Sequence, residues 1–173
     1  MWRYAVVYTY GGVYADVDTD CLRPISSWLR PDCELLVGLE NDEHFCQWTF
    51  AAAPRSRYLK AVLAAIVETF EQHGGIDTGN QHFVHKHSGP GVFTQGLSRA
   101  FAEYLGLPGH TINWNAREWF DHFNQTEGFA QGICIEDETF FGSINARNNY
   151  ASQQKLKGWT SWTQAAAEIT SRN

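Results

Sequence analysis

Apolar positions along the chain change period several times, and the changes outline its elements. Residues 2–10 set Tyr4, Val7 and Tyr8 at helical spacing and end in Gly11-Gly12, which predicts a helix closed by a residue of positive φ. Val13 to Val17 reads as a short strand, and Glu34 to Leu39 and Phe45 to Ala52 are β-branched or aromatic runs between turn signals, hence strands. Ser56 to His73 places Leu59, Val62, Leu63, Ile66, Val67 and Phe70 on one helical face before Gly74-Gly75. Gly91 to Leu105 predicts a second long helix with Val92, Leu97, Phe101 and Leu105 inward, ended by Leu107-Pro108-Gly109. A short strand at Ile133 to Ile135 and a final helix at Trp162 to Thr170 complete the pattern. Helices interleaved with short strands indicate an α/β domain with a mixed sheet. No internal repeat, low-complexity block or charge run divides the 173 residues, so a single domain is expected.

Composition narrows the classes of function. Hydrophobic residues make up 43% and charged residues 18%, which excludes a disordered or coiled-coil chain. Thirteen Lys and Arg against nineteen Asp and Glu give a net charge of -6, so no nucleic-acid partner is expected. No apolar run approaches the ~18 residues of a membrane span, and Met1 leads straight into Trp2-Arg3-Tyr4 without the features of a targeting signal. Cys21, Cys33, Cys46 and Cys134 contain no C-x-x-C pair, which argues against structural zinc; a Cys21–Cys33 disulfide is one arrangement open to them.

The chemistry concentrates where the first strand runs out, in Tyr14-Ala15-Asp16-Val17-Asp18-Thr19-Asp20. Strand alternation would point Asp16 and Asp18 to one side. Two carboxylates on one face with no cation nearby in sequence repel, and a divalent metal resolves that repulsion. A hard cation with oxygen ligands, Mn²⁺ or Mg²⁺, suits them, especially if a diphosphate supplies further oxygens. The plain alternative is an acidic surface turn in which Asp18 or Asp20 caps a helix.

The flanks of this turn carry a resemblance. Arg3-Tyr4, then Gly11-Gly12-Val13-Tyr14-Ala15-Asp16-Val17-Asp18, then Leu22-Arg23-Pro24-Ile25, is similar to the core signature of the glycosyltransferases with a DXD sugar-binding region. Phe45-Cys46-Gln47-Trp48-Thr49 with Pro54, and Ser88-Gly89-Pro90-Gly91-Val92-Phe93, resemble segments of that family's fungal initiation-specific α-1,6-mannosyltransferase branch. Gly158-Trp159-Thr160-Ser161-Trp162 resembles its terminal motif. The resemblance implies a GT-A-like mixed sheet flanked by helices, with residues 1–173 as the C-terminal two-thirds of such a domain. It also implies retaining transfer of a hexose, mannose favoured, from a nucleotide sugar such as GDP-mannose to a glycan acceptor, in the Golgi lumen. Asp18 would ligate the metal that bridges the donor diphosphate, while Asp16 would contact ribose or sugar and help hold it. Arg3, Tyr14, Ser88, Gly89, Pro90, Ser161 and Trp162 are the further substrate-binding candidates. The family's usual Asp three residues before the Arg, and its His before the terminal motif, have no counterpart here.

Other polar groups offer rival or additional chemistry. His82, His85 and His87 crowd ahead of Ser88, and on a strand His85 and His87 would share a face that could bind a transition metal. That reading makes the chain a metal-binding module, and a non-catalytic fragment is a further alternative. Glu40, Asn41 and Asp42 are candidates for an acceptor site, and Glu136-Asp137-Glu138 reads as a solvated loop. Tyr4, Tyr8, Tyr10 and Tyr14, with Trp48 and Trp162, are expected to line or support a sugar-nucleotide cleft.

Overall fold

A computed structural model of the chain describes residues 1–73, 82–107, 113–125, 132–141 and 151–153. Its elements in chain order are α1 (Trp2–Tyr10), β1 (Gly12–Ala15), β2 (Thr19–Cys21), β3 (Leu35–Gly38), β4 (Thr49–Ala52), α2 (Arg57–His73), α3 (Phe83–His87), α4 (Pro90–Tyr104), α5 (Ala116–Gln125), β5 (Ile133–Glu136) and β6 (Ala151–Gln153). Four strands form a sheet in the order β1-β4-β3-β5, antiparallel at β1/β4 and β4/β3 and parallel at β3/β5. The α/β class with a mixed sheet flanked by helices is therefore as expected. β2 and β6 pair separately, and β2, β6, α3 and α5 are elements that the hydrophobic pattern did not outline.

Both faces of the sheet are covered, and strand alternation sorts the side chains between them. Leu35 and Val37 of β3, Phe50 and Ala52 of β4, and Ile133 and Ile135 of β5 enter one core with α1, α2, α4 and α5. Leu36, Ala51 and Cys134 point the other way, into a smaller cluster with Trp28, Trp48 and Phe141. In the larger core, Phe101 of α4 meets Phe45, Tyr58, Trp119 and Phe123 at ring-centroid distances of 5.4–5.8 Å. α2 and α4 cross closely at Gly96, where a Cβ would come within 2.5 Å of the Val62 Cα. Backbone contact, rather than interleaved side chains, sets the helix separation there.

The first hairpin of structure positions the acidic turn. From Arg3 to Tyr10 a helix rises about 10 Å, and from Gly12 to Asp16 extended chain returns about 13 Å. The reversal rests on Gly11, with φ 69°, where a Cβ would fall 2.6 Å from the Pro54 ring. The near-equal lengths bring Arg3 and Asp16 to the same end. They carry Tyr10 to the opposite end, where it is 79% exposed and lines no cleft with the acids.

The backbone corrects one expectation and decides among the cysteine arrangements left open. β1 ends at Ala15 instead of running to Val17, because the chain turns: the Thr19 N–H donates to the Asp16 carbonyl at 3.0 Å. The disulfide joins Cys33 to Cys134, leaving Cys21 free and exposed and Cys46 free and buried. Parallel pairing of β3 with β5 brings together cysteines that are 101 residues apart. No helix among the described residues is long and apolar enough to cross a membrane.

Closing so long a loop restricts the unfolded chain strongly, so Cys134→Ala is expected to cost about 2–4 kcal/mol. Urea denaturation checks this: reductant should lower the midpoint of the wild type toward that of the variant and leave the variant unmoved.

Candidate functional site

The acidic turn sits at the end of the sheet where β1, β3 and β5 finish. In α/β folds the crevice outside the carboxyl ends of parallel strands is where ligands bind. Arg3 reaches it from α1: its Nη1 lies 2.8 Å from Asp16 Oδ1 and donates to the Gln47 carbonyl at 3.1 Å. The Tyr14 hydroxyl donates to the same Asp16 oxygen at 2.6 Å, and the Arg3 guanidinium stands 4.8 Å above the Tyr14 ring. The Asp16 N–H donates to the Trp48 carbonyl at 2.8 Å, fixing the carboxylate's backbone to the strand beside it. The two charged side chains are 24% and 22% exposed, and hydrogen bonds to charged groups in such settings contribute roughly 1.5–3 kcal/mol each.

The sequence reading left Asp16 without a cation, and the structure corrects this. Arg3 is thirteen positions away in sequence, but the helix-strand return closes the gap. The strand alternation of Asp16 and Asp18 is likewise corrected: Asp16 opens a turn, Val17 at its tip is 93% exposed, and Asp18 follows on the turn itself. The charge of Asp18 still reaches Tyr14. Burial first, then the hydrogen bond to Asp16, and then the Asp16 and Asp18 charges together outweigh Arg3 and push the Tyr14 hydroxyl up to about 12.

Tyr4 ties the turn to the start of α4. It is fully buried, stacked on Phe93 at 5.2 Å, and its hydroxyl lies 3.2 Å from both Gln47 Oε1 and the Ser88 carbonyl. Burial raises its pKa well above the usual tyrosine range. Tyr4 is thus a core residue supporting the site, and Tyr8 packs against the same core from farther along α1. Gln47, embedded in a motif but not itself predicted as a site residue, accepts from both Arg3 and Tyr4. Only contacts between distant segments reveal it.

Ser88, Gly89 and Pro90 form the joint between α3 and α4, with Gly89 as N-cap and Pro90 in the first turn. Gly89 is required by packing, since a Cβ there would lie 2.9 Å from the His85 Cα and the Val84 carbonyl. Of the acceptor candidates, Glu40 follows β3; desolvation raises its carboxyl, and its charge is felt at Tyr4 and Cys46. The Asn41 side chain instead shapes the loop, accepting from the Glu43 and His44 N–H groups at 2.9 Å. Asp42 is paired with Arg117 on α5 at 3.0 Å. Glu136 is not in a solvated loop: it ends β5, half-buried, with Arg30 at 2.8 Å, and burial raises its carboxyl. Ser161 and Trp162, and the helix expected from Trp162 to Thr170, lie outside the described residues.

The histidine cluster is dispersed. Residues 83–87 are helical, so His85 and His87 point apart instead of sharing a strand face. His87 is buried, stacked on Phe83 at 3.9 Å with Nδ1 2.8 Å from the Phe83 carbonyl, while His85 meets His44 edge-on at 4.8 Å.

Comparison with known proteins agrees with the motif reading. Residues 1–34 match the family described as glycosyltransferase sugar-binding region containing DXD motif. The chain resembles the glycosyltransferases of the DXD family. The initiation-specific alpha-1,6-mannosyltransferase of Schizosaccharomyces pombe is 32% identical over 116 residues, 56% of this chain and 29% of that protein. Its namesake from Candida albicans is 25% identical over 169 residues, 79% of this chain and 43% of its own length. The chain thus spans less than half the length of these relatives. Among solved structures, the PaToxG glycosyltransferase aligns with 21% identity and a TM-score of 0.45, over 65% of this chain and 44% of its own.

The turn's donor set bears on a metal. Asp16 Oδ1 is engaged by Arg3 and Tyr14; its second oxygen and the Asp18 carboxylate are the turn's candidate ligands. Among the described residues no group of three or more His, Cys, Asp or Glu could hold an ion by itself. Few carboxylates plus substrate oxygens suit Mg²⁺, which keeps several waters and binds mainly through phosphates, and suit Mn²⁺ equally. The residues fit a hard cation brought together with a diphosphate.

The Tyr14 environment predicts an alkaline limit. Between the ordinary tyrosine value of 10 and the raised value of about 12, the folded state keeps a proton that the unfolded state has lost. Stability contributed by this group therefore falls as pH rises through that window. Tyr14→Phe should flatten the decline in thermal midpoint over that range, and difference absorbance of tyrosinate should lose a high-pH step.

Proposed function

We propose that the protein containing this chain is a retaining glycosyltransferase that moves a hexose, mannose favoured, from a nucleotide sugar to a glycan acceptor. The observation that carries this reading is the acidic turn at the carboxyl end of the sheet, with Asp16 held by Arg3 and Tyr14 and Asp18 on the following turn. Likeness to mannosyltransferases supports the choice of mannose, and GDP-mannose is the donor proposed on that basis.

Each residue has a distinct task. Arg3 and Tyr14 occupy one oxygen of Asp16 and fix its carboxylate, so its other oxygen is oriented before substrate arrives. Such pre-orientation avoids reorganisation during the reaction. Asp18 would be the principal ligand of a divalent cation, with Asp16 as an auxiliary ligand or a ribose contact. A bound Mn²⁺ or Mg²⁺ would neutralise the charge that develops on the departing nucleoside diphosphate. Gln47 and Tyr4 hold Ser88 and the α4 start against the turn, so that Ser88, Gly89 and Pro90 form the neighbouring wall of the substrate site.

The Cys33–Cys134 disulfide supports a secretory-pathway setting, since such bonds persist in oxidising compartments; the Golgi lumen is the compartment proposed.

In the protein as expressed from its host, Asp18→Asn should reduce metal-dependent transfer by about 10²–10³-fold, the loss typical of removing an electrostatic stabiliser. Circular dichroism should be unchanged. Transfer at the wild-type rate by a folded Asp18→Asn protein would remove the metal assignment.

A further inference from the structure

A cavity of about 910 Å³ lies on the far side of the Ser88–Gly91 joint, between the end of α2, the first turns of α4 and the segment 113–115. That volume is at the upper end of the range for small-ligand pockets.

The lining is polar and close to charge-balanced. Gln95 and Asn113 present side-chain amides, and Trp114 contributes an aromatic face. Trp114 is braced from behind by Trp119, at 4.6 Å between rings, and by His122 at 5.1 Å. His44 and His85, also in the lining, pack edge-on, and burial together with His85 lowers the His44 pKa, which favours a neutral His44 imidazole able to donate and accept. Arg99 is paired with Glu68. Lys86 and Glu43 add one charge of each sign to the lining, and the amides, the imidazoles and the indole face match a ligand with many hydroxyls and apolar C–H faces.

Two segments connect the cavity with residues that hold the acidic turn. His44 lines the cavity, and Gln47, three residues on, binds Arg3 and Tyr4; Gly91 lines it, and Ser88, three residues back, meets Tyr4. Three residues span at most about 10 Å. Along both segments the cavity lining therefore lies within about 10 Å of residues that hold the turn.

We propose that this cavity is an oligosaccharide subsite that holds the acceptor glycan, with Trp114, Gln95, His85 and His44 as its recognition residues. The assignment to an acceptor rests on the glycosyltransferase reading; binding of a neutral oligosaccharide does not.

The test is calorimetric titration of the protein with α-linked mannotriose, without nucleotide sugar or metal. The expected result is saturable binding that weakens at least tenfold in Gln95→Trp, which fills the cavity from an exposed helical position, and in His85→Ala. Asp18→Asn should bind the trisaccharide as the wild type does. In transfer assays Gln95→Trp should raise the KM for acceptor and leave that for nucleotide sugar in place. Absence of mannotriose binding to the wild type, equal binding by a folded Gln95→Trp protein, or displacement of mannotriose by inorganic diphosphate would each overturn the proposal. Intact transfer by Asp18→Asn would sink the metal reading of the turn and leave the titration result standing.

Discussion

A short helix and a short strand, joined at two glycines and matched in length, create the contact on which the candidate site depends. Because α1 and β1 run back along each other, the guanidinium near the helix start meets the carboxylate just past the strand end. The Gln47 and Trp48 carbonyls hold the two partners from a distant segment, and the surrounding residues keep the pair partly dry. Phe50 and Phe93 against Tyr4, and Tyr14 against Phe50, supply the apolar floor. A polar cluster over such a floor is held more firmly than the same groups in open water, where an ion pair contributes about 0–1 kcal/mol.

Two segments carry the influence of this contact outward. The loop from Glu40 to Trp48 and the joint from Ser88 to Gly91 both touch Tyr4 or Arg3 at one end and the large cavity at the other. Neither segment belongs to the regular sheet. Their conformations are fixed by local devices: Asn41 accepting from two backbone amides, Thr94 accepting from the Phe45 N–H at 3.0 Å, and a glycine that lets α3 lie directly against the α4 cap. The site is thus built where loops are held by side chains from other elements, on a scaffold of covered strands.

How much of this was legible in the sequence follows from what each feature depends on. α2 and α4 were readable because each carries a continuous apolar face, and β3 and β5 because their residues are buried on both sides. α5 was missed although Asn115 and Glu118 form a reciprocal capping box, with hydrogen bonds of 2.7 and 2.9 Å; that N-x-x-E signal was available. α3 spans one turn, too short for periodicity to distinguish from a strand, and so the histidine spacing was given the wrong geometry. The acids were found by their flanking residues, but the Arg3 partner and the role of Gln47 arise from tertiary closure. The same is true of the disulfide, whose pairing is dictated by parallel strands and not by cysteine spacing.

The backbone contact between Gly96 and Val62 has a consequence for how this architecture can diversify. Where two helices touch through their main chains, their spacing there cannot be tuned by exchanging one side chain for another, since any larger residue at Gly96 must separate them. The chamber beside them is therefore anchored along one edge, and its bore can be altered by the side chains that line it, such as Gln95, and by the end of α2 and the segment at 113–115. A substitution that changes the ligand this chamber takes would therefore fall on lining side chains away from the crossing, whose shape it would leave as it is.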